Sequence, residues 1–155
     1  MRKRYHISER NKRMKESSKK TRKKQLNGQI IVDKGVKNVW PFEMHSALAL
    51  KELGYIVRFV PPHNSVRSAD AYLNNTLFEF KSPTGSTIKC VENNLDKALK
   101  NQSKNIVIDS CRIKDVRDKS ILNYLTKRLK RKKGIKHLIF VTREGKAIDI
   151  NEIIR

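Results

Sequence analysis

The sequence predicts a mixed α/β protein, a β-sheet flanked by helices, and three observations carry that prediction. Short β-branched and aromatic runs of strand length recur at residues 55–60 (YIVRFV), 105–109 (NIVID) and 137–142. Between them lie longer segments with apolar residues three and four apart, the spacing of a helix with one buried side. Pro, Gly and Asn punctuate the joints. The expected order is helix, three strands, helix, strand, helix and two strands, with helices covering the faces of the sheet.

Each element follows from local chemistry. The ordered domain is expected to begin near Ile30. The first helix spans 41–53: Pro41 suits the first turn, Gly54 the position just past the end, and Met44, Ala47, Leu48 and Leu50 form the buried side. The strand over 55–60 ends at Pro61-Pro62, and 64–67 continue as loop. Strands 69–73 and 76–82 form a hairpin around Asn74-Asn75, a pair that tolerates the positive φ of a tight turn. A helix over 87–103 has Ser86 as N-cap and carries Val91, Leu95, Ala98, Leu99 and Gln102 on one stripe. Beyond strand 105–109, a helix over 116–133 turns Ile121, Leu122, Leu125 and Leu129 inward and stops at Gly134. Strands 137–142 and 146–150 close the chain around Glu144-Gly145.

Composition limits the function. The 155 residues carry 36 Lys and Arg against 15 Asp and Glu, a formal charge of +21. Self-repulsion of that size points to a polyanionic partner, nucleic acid ahead of an anionic membrane surface. No apolar run approaches the ~18 residues of a membrane span, so no membrane insertion is expected. No apolar stretch follows the basic start, so no ordinary secretory signal is expected either. Cys90 and Cys111 are too few for a disulfide scaffold or a Cys-rich zinc site, and read as small core residues. The expectation is a soluble protein acting in the reducing cytoplasm. Residues 1–27 hold 12 Lys or Arg and two acids but, past Met1, only four large apolar residues, too few to order the segment by burial. They read as a flexible basic arm that lands on phosphates, or as a solubilising tail, a localisation signal or a linker remnant; residues 28–155 read as the folded domain.

One constellation could carry chemistry. With Asn74-Asn75 as a two-residue loop, Asp70 pairs with Glu79 across the hairpin, and Lys81, two residues on, shares their face. Phe78 and Phe80 then point to the opposite face, where a helix can cover them. Opposed carboxylates repel, and a hard divalent cation relieves the repulsion, because Mg²⁺ takes oxygen ligands from one or two carboxylates. A neighbouring lysine suits attack on a phosphodiester, where negative charge develops. The plainer alternative is a surface hairpin whose acids are simply paired by Lys81. Against it stand the middle position of these strands, Glu43 in the helix before them and the basic remainder of the chain.

The order Glu43 on a helix, Asp70 on a strand and Glu79-x-Lys81 on the next resembles the PD-(D/E)xK nuclease superfamily, over roughly 42–109. More closely, Gly54-Tyr55-Ile56-Val57, Ser68-Ala69-Asp70, Glu79-Phe80-Lys81-Ser82-Pro83 and 98–102 before NIVID are similar to the tRNA-nuclease-like C-terminal toxin domains of CdiA contact-dependent inhibition proteins. The resemblance implies a restriction-endonuclease-like mixed sheet and a nuclease dependent on Mg²⁺ or Mn²⁺, directed at tRNA or other RNA. It also implies Asp70 and Glu79 as metal ligands, Lys81 as the catalytic lysine, Glu43 as an accessory acid and an immunity protein as a partner. Ala69 replaces the proline that usually precedes the motif aspartate, and with no long delivery region a free-standing version is expected.

Other residues divide between two readings. Gln102 would reach a phosphate or a catalytic acid, or else bond backbone at the helix end. Lys127, Arg128, Lys130, Arg131, Lys132 and Lys133 would track phosphates, or else form a solvated helix end favoured by the macrodipole. Trp40 would stack on a base or brace the start of the first helix. His45 reads as a partly buried helix residue rather than a ligand, while His63, on a loop near the motif, could touch substrate. The spacing of the four histidines excludes an HExxH-type zinc site. Two other functions remain open: a structure-specific DNA endonuclease with the same core, and a non-catalytic basic nucleic-acid-binding module.

Overall fold

The computed structural model describes residues 28–63, 66, 70–131 and 134–155. The arm expected over 1–27 lies outside them, as do Ala69, Lys132 and Lys133. In chain order the elements are β1 (Gln29–Val32), α1 (Pro41–Glu52), β2 (Ile56–Phe59), β3 (Asp70–Leu73), β4 (Thr76–Lys81), α2 (Ile88–Lys100), β5 (Asn105–Asp109), α3 (Asp118–Lys130), β6 (His137–Val141), β7 (Ala147–Asp149) and α4 (Ile150–Ile153).

Among the described residues the strands form one mixed sheet of seven, arranged in space as they follow in sequence. The parallel pairs β1–β2, β4–β5 and β5–β6 each enclose a helix, whereas β2–β3, β3–β4 and β6–β7 are antiparallel. This is the predicted mixed sheet flanked by helices, with two additions. The half-exposed edge strand β1 precedes the first helix, and α4 replaces the end of the last predicted strand. Asp149 starts α4: one carboxylate oxygen accepts from the Asn151 N–H at 3.1 Å while the other faces the His137 Nε2 at 2.9 Å.

Alternation along the strands divides the core in two. On one face Val57, Phe59, Ala71, Leu73, Phe78, Phe80, Val107, Ile139 and Val141 pack under Ala47, Ala49 and Leu50 of α1. On the other, Ile106, Ile108, Leu138 and Phe140 pack under Val91, Leu95 and Ala98 of α2 and Ile121, Leu125 and Leu129 of α3. Because α1 touches both β1 and β7, the sheet curls around that helix.

Helix details depart from expectation for local reasons. The inward side of α1 runs through Glu43, Ser46, Ala47 and Leu50, and Leu48 is 51% exposed. Two polar groups hold that rotation: the Glu43 carboxylate accepts from the Trp40 N–H at 3.4 Å, and the Ser46 hydroxyl donates to Asp109 at 2.6 Å. The N-cap of α2 is Thr87 rather than Ser86, because Gly85 is held by a bridge to Ile113 and its carbonyl accepts from the Lys114 N–H. Neither cysteine is fully buried; both are free thiols of intermediate exposure.

Candidate active site

The hairpin has the register read from its turn. Asn74 and Asn75 both adopt positive φ, 47° and 70°, the backbone of a tight two-residue loop. Asp70 consequently pairs with Glu79, Ala71 with Phe78, Tyr72 with Leu77 and Leu73 with Thr76. Directly opposed residues project to one side with Cβ atoms about 4.5–5.5 Å apart. Glu79 also pairs with Ile106 and Lys81 with Ile108, so the three motif side chains share the face covered by α2 and α3. Phe78 and Phe80 fill the core under α1, as expected.

Both acids are buried, Asp70 at 8% and Glu79 at 5% exposure, and the Lys81 Nζ lies 2.9 Å from Glu79 Oε1. With Glu79 buried and Lys81 partly so, the pair is screened less than an exposed one, and the lysine charge acts on the site. The acids open onto a cavity of about 420 Å³ whose other walls are Leu77 and the 101–105 segment. Gln102 belongs to that wall, but not as a residue of the helical stripe. The helix ends at Lys100 with Asn101 as C-cap, and Gln102 takes φ 63° just beyond it, where its side chain is exposed at the mouth of the cavity. Two oxygen donors on neighbouring strands, in a cavity with amides at its rim, suit a hard divalent cation that keeps part of its water shell.

Glu43 stands apart from this cavity. It comes from the first turn of α1, on the helix covering the opposite face, and its carboxylate partly serves the start of its own helix. Burial raises its pKa, with the Trp40 hydrogen bond opposing.

Basic side chains gather beside the cavity wall. Lys97 and Lys100 lie in the last turn of α2, and Lys127, Arg128 and Lys130 in that of α3, followed by Arg131. These ends meet: the Lys136 N–H donates to the Lys104 carbonyl at 2.8 Å, and Gly134 faces Leu99. Arg128 is already engaged, donating to Asp96 and to the Tyr124 hydroxyl. Lys104, Lys127, Lys130, Arg131 and Lys136 are exposed.

A second polar cluster, missed at the sequence level, surrounds Asp109 at the end of β5. Asp109 is fully buried; it accepts from the Ser46 hydroxyl at 2.6 Å and the Cys111 N–H at 2.9 Å, and faces His45 Nδ1 at 2.7 Å. His45 Nε2 faces the Arg143 carbonyl at 3.1 Å. Ligand atoms of His45, Asp109 and Cys111 lie within 4.8 Å of one another, a grouping that could hold a metal ion. Burial, with the neighbouring Asp109 charge adding to it, pushes the Cys111 thiol up to about 12, which disfavours a thiolate. As it stands, the cluster joins α1, β5 and the β6–β7 hairpin. An acid closing the apolar run NIVID was its one signal in the sequence. His63 is exposed on the loop after β2.

The mixed sheet carries an acid pair and a lysine in a basic surround, and comparison with known proteins places the chain in a family. The family model of the contact-dependent growth inhibition CdiA C-terminal domain matches residues 67–147, and the chain belongs to that family. The matched segment includes Asp70, Glu79 and Lys81 and excludes Glu43. Among solved structures, the chain is similar to a CdiA-CT/CdiI toxin and immunity complex from Burkholderia pseudomallei, with a TM-score of 0.58 and 17% identity over 76% of this chain and 96% of that one. At that identity the likeness is one of fold. No curated protein matches. Among the described residues no helix is long and apolar enough to cross a membrane.

Proposed function

We propose that this chain is a toxin-type endonuclease of the PD-(D/E)xK kind, hydrolysing phosphodiester bonds in nucleic acid with Mg²⁺ or Mn²⁺, and that RNA, tRNA in particular, is its substrate. The carrying observation is the Asp70–Glu79 pairing with Lys81 Nζ 2.9 Å from Glu79. Asp70 and Glu79 would hold the ion. When bound, such an ion polarises a phosphoryl oxygen and lowers the pKa of a bound water.

The protein's own groups supply the rest. Lys81 keeps a positive charge at the site and steadies the Glu79 carboxylate, ready to meet charge developing on the phosphoryl oxygens. Gln102 offers an amide to a phosphate at the cavity mouth. Lys104, Lys127, Lys130, Arg131 and Lys136 hold the flanking backbone by charge, without reading sequence. Lys132 and Lys133 extend the same run in sequence. Glu43 is an accessory acid of the α1 start in this reading. Family membership supports RNA ahead of DNA and action in the cytoplasm. The pairing named for the solved toxin and immunity complex supports a neutralising protein partner. Residues 1–27 act as a basic arm before a domain spanning 28–155.

The test is incubation of the purified chain with total tRNA and with duplex or branched DNA, in Mg²⁺, in Mn²⁺ and in chelator. Metal-dependent RNA fragments, lost in Glu79→Gln and Lys81→Met, are expected. Cleavage of branched DNA alone would make the chain a structure-specific DNA endonuclease. Salt-sensitive binding with every substrate intact would make it a binding module.

A further inference from the structure

The residues around Trp40 form a second feature at the motif end of the sheet. Trp40 is the sole tryptophan and, at 55% exposure, the most exposed large apolar side chain among the described residues. Bracing α1 does not require that exposure. Its ring lies nearly parallel to that of Phe42, 7° between planes and 6.3 Å between centroids, an offset that leaves much of the indole uncovered. The Arg112 guanidinium sits 3.8 Å from the centroid of the Phe42 ring and donates to the Ser82 carbonyl at 2.6 Å. Arg112, Phe42 and Trp40 thus form a series of flat groups tied to the residue that follows Lys81.

The position suits a substrate strand. At about 3.3 Å per residue, Ser82 lies roughly 10 Å from Glu79 just past the end of β4, on the side away from Leu77 and the 101–105 wall of the cavity. Trp40 stands beyond it at the start of α1, where a strand leaving the acid pair would pass a few nucleotides on. Trp40 also walls a cavity of about 390 Å³, beside Phe59 and Pro62 and with Lys37 and Asn38 at its rim. In a chain of charge +21, an uncovered indole with Lys37 in its cavity wall and Arg112 on the neighbouring Phe42 ring complements a base on a phosphate backbone.

Resting on the nuclease reading above, we propose that Trp40 is a stacking platform for an unpaired nucleobase of the bound strand, outside the acid pair and on the α1 side of the sheet, held in plane by Phe42 and Arg112. This makes Trp40 a substrate-positioning residue that selects single-stranded or splayed substrate over continuous duplex.

Because Trp40 is the sole tryptophan, its fluorescence reports the contact directly. The full chain is titrated in metal-free buffer with a short single-stranded oligonucleotide, with the same backbone made abasic and with a blunt duplex. Quenching by the first but not by the other two is expected; equal quenching by the abasic strand overturns the proposal. By anisotropy of the labelled oligonucleotide, Trp40→Ala should bind about tenfold or more weakly and Trp40→Phe recover most of the loss, with unchanged affinity for the abasic strand. An unchanged Trp40→Ala affinity for the base-bearing strand also overturns it. Wild-type protein that quenches with base dependence yet cleaves nothing in Mg²⁺ or Mn²⁺ sinks the nuclease reading and leaves the platform standing. Metal-dependent cleavage without base-dependent quenching does the reverse.

Discussion

Two buried carboxylates side by side oppose folding unless something positive lies between or beside them, and at the residue scale that conflict is what makes Asp70 and Glu79 informative. Lys81 relieves part of it. A bound dication relieves more, so added Mn²⁺ or Mg²⁺ should raise the melting temperature of the wild type, by an amount equivalent to about 2.7 kcal/mol at a hundredfold excess over Kd. In Asp70→Asn the rise should vanish while the metal-free melting temperature holds or increases, because the like-charge pair is gone. Calorimetry with and without chelator checks both. For catalysis, Lys81→Met should lose about 10²–10³-fold in turnover with its far-UV spectrum unchanged. Cys111 gives a pH prediction. Its thiol is raised to about 12, so at pH 8 it stays protonated and should resist iodoacetamide in the folded chain, as peptide mapping would show. The fold holds that proton more tightly than the unfolded chain does. Its contribution to stability is therefore complete below the ordinary thiol value of 9.0 and declines as pH climbs toward about 12. The motif residues were legible because a two-residue turn forces a register, and register sets facing. Asp109 was not, since its side-chain partners Ser46 and His45 come from 63 and 64 positions away along the chain.

At the scale of elements, the β3–β4 hairpin holds the site together and its turn is the weak point. Asn75 sits at φ 70°, where a β-branched residue is strained. Asn75→Val should cost about 1–3 kcal/mol in a urea titration, whereas Asn75→Gly should be neutral or mildly stabilising. The anchor of α1 is the other weak point. Asp109→Ala leaves the Cys111 N–H without its carboxylate acceptor and the Ser46 hydroxyl with only the Phe42 carbonyl at 3.3 Å, and should destabilise by about 3–5 kcal/mol. Helix and strand existence followed from periodicity, but the rotation of α1 did not. Apolar counting favoured Leu48 as an inward residue, yet the polar Glu43 and Ser46 turn inward because each finds a partner there. The short α4 escaped for a related reason: Ile148 and Ile150 continue the strand pattern, and only the Asp149 cap marks the change.

For the whole molecule, charge dominates. Replacing Lys127, Lys130 and Arg131 by Gln should weaken binding to single-stranded nucleic acid and flatten the salt dependence by about two units of slope, with the melting temperature unchanged. Removing residues 1–27 should likewise reduce affinity and its salt slope while leaving far-UV dichroism intact; a collapse of that signal would place the domain boundary elsewhere. The sheet's curl around α1 was not legible, since packing β1 and β7 against one helix depends on twist accumulated across seven strands.

The sequence by itself determined the alternation of strands and helices, the hairpin register and hence the acid pair with its lysine, along with the excess of positive charge. All of these depend on neighbours a few residues apart, where period, turn chemistry and simple counting apply. Only the tertiary structure decided that Gln102 reaches the cavity from a left-handed turn, that Glu43 belongs to the other face, and that Trp40 stands half-exposed beside Phe42. Those outcomes depend on which distant groups meet when the layers close, and burial and hydrogen bonding settle them together rather than one residue at a time.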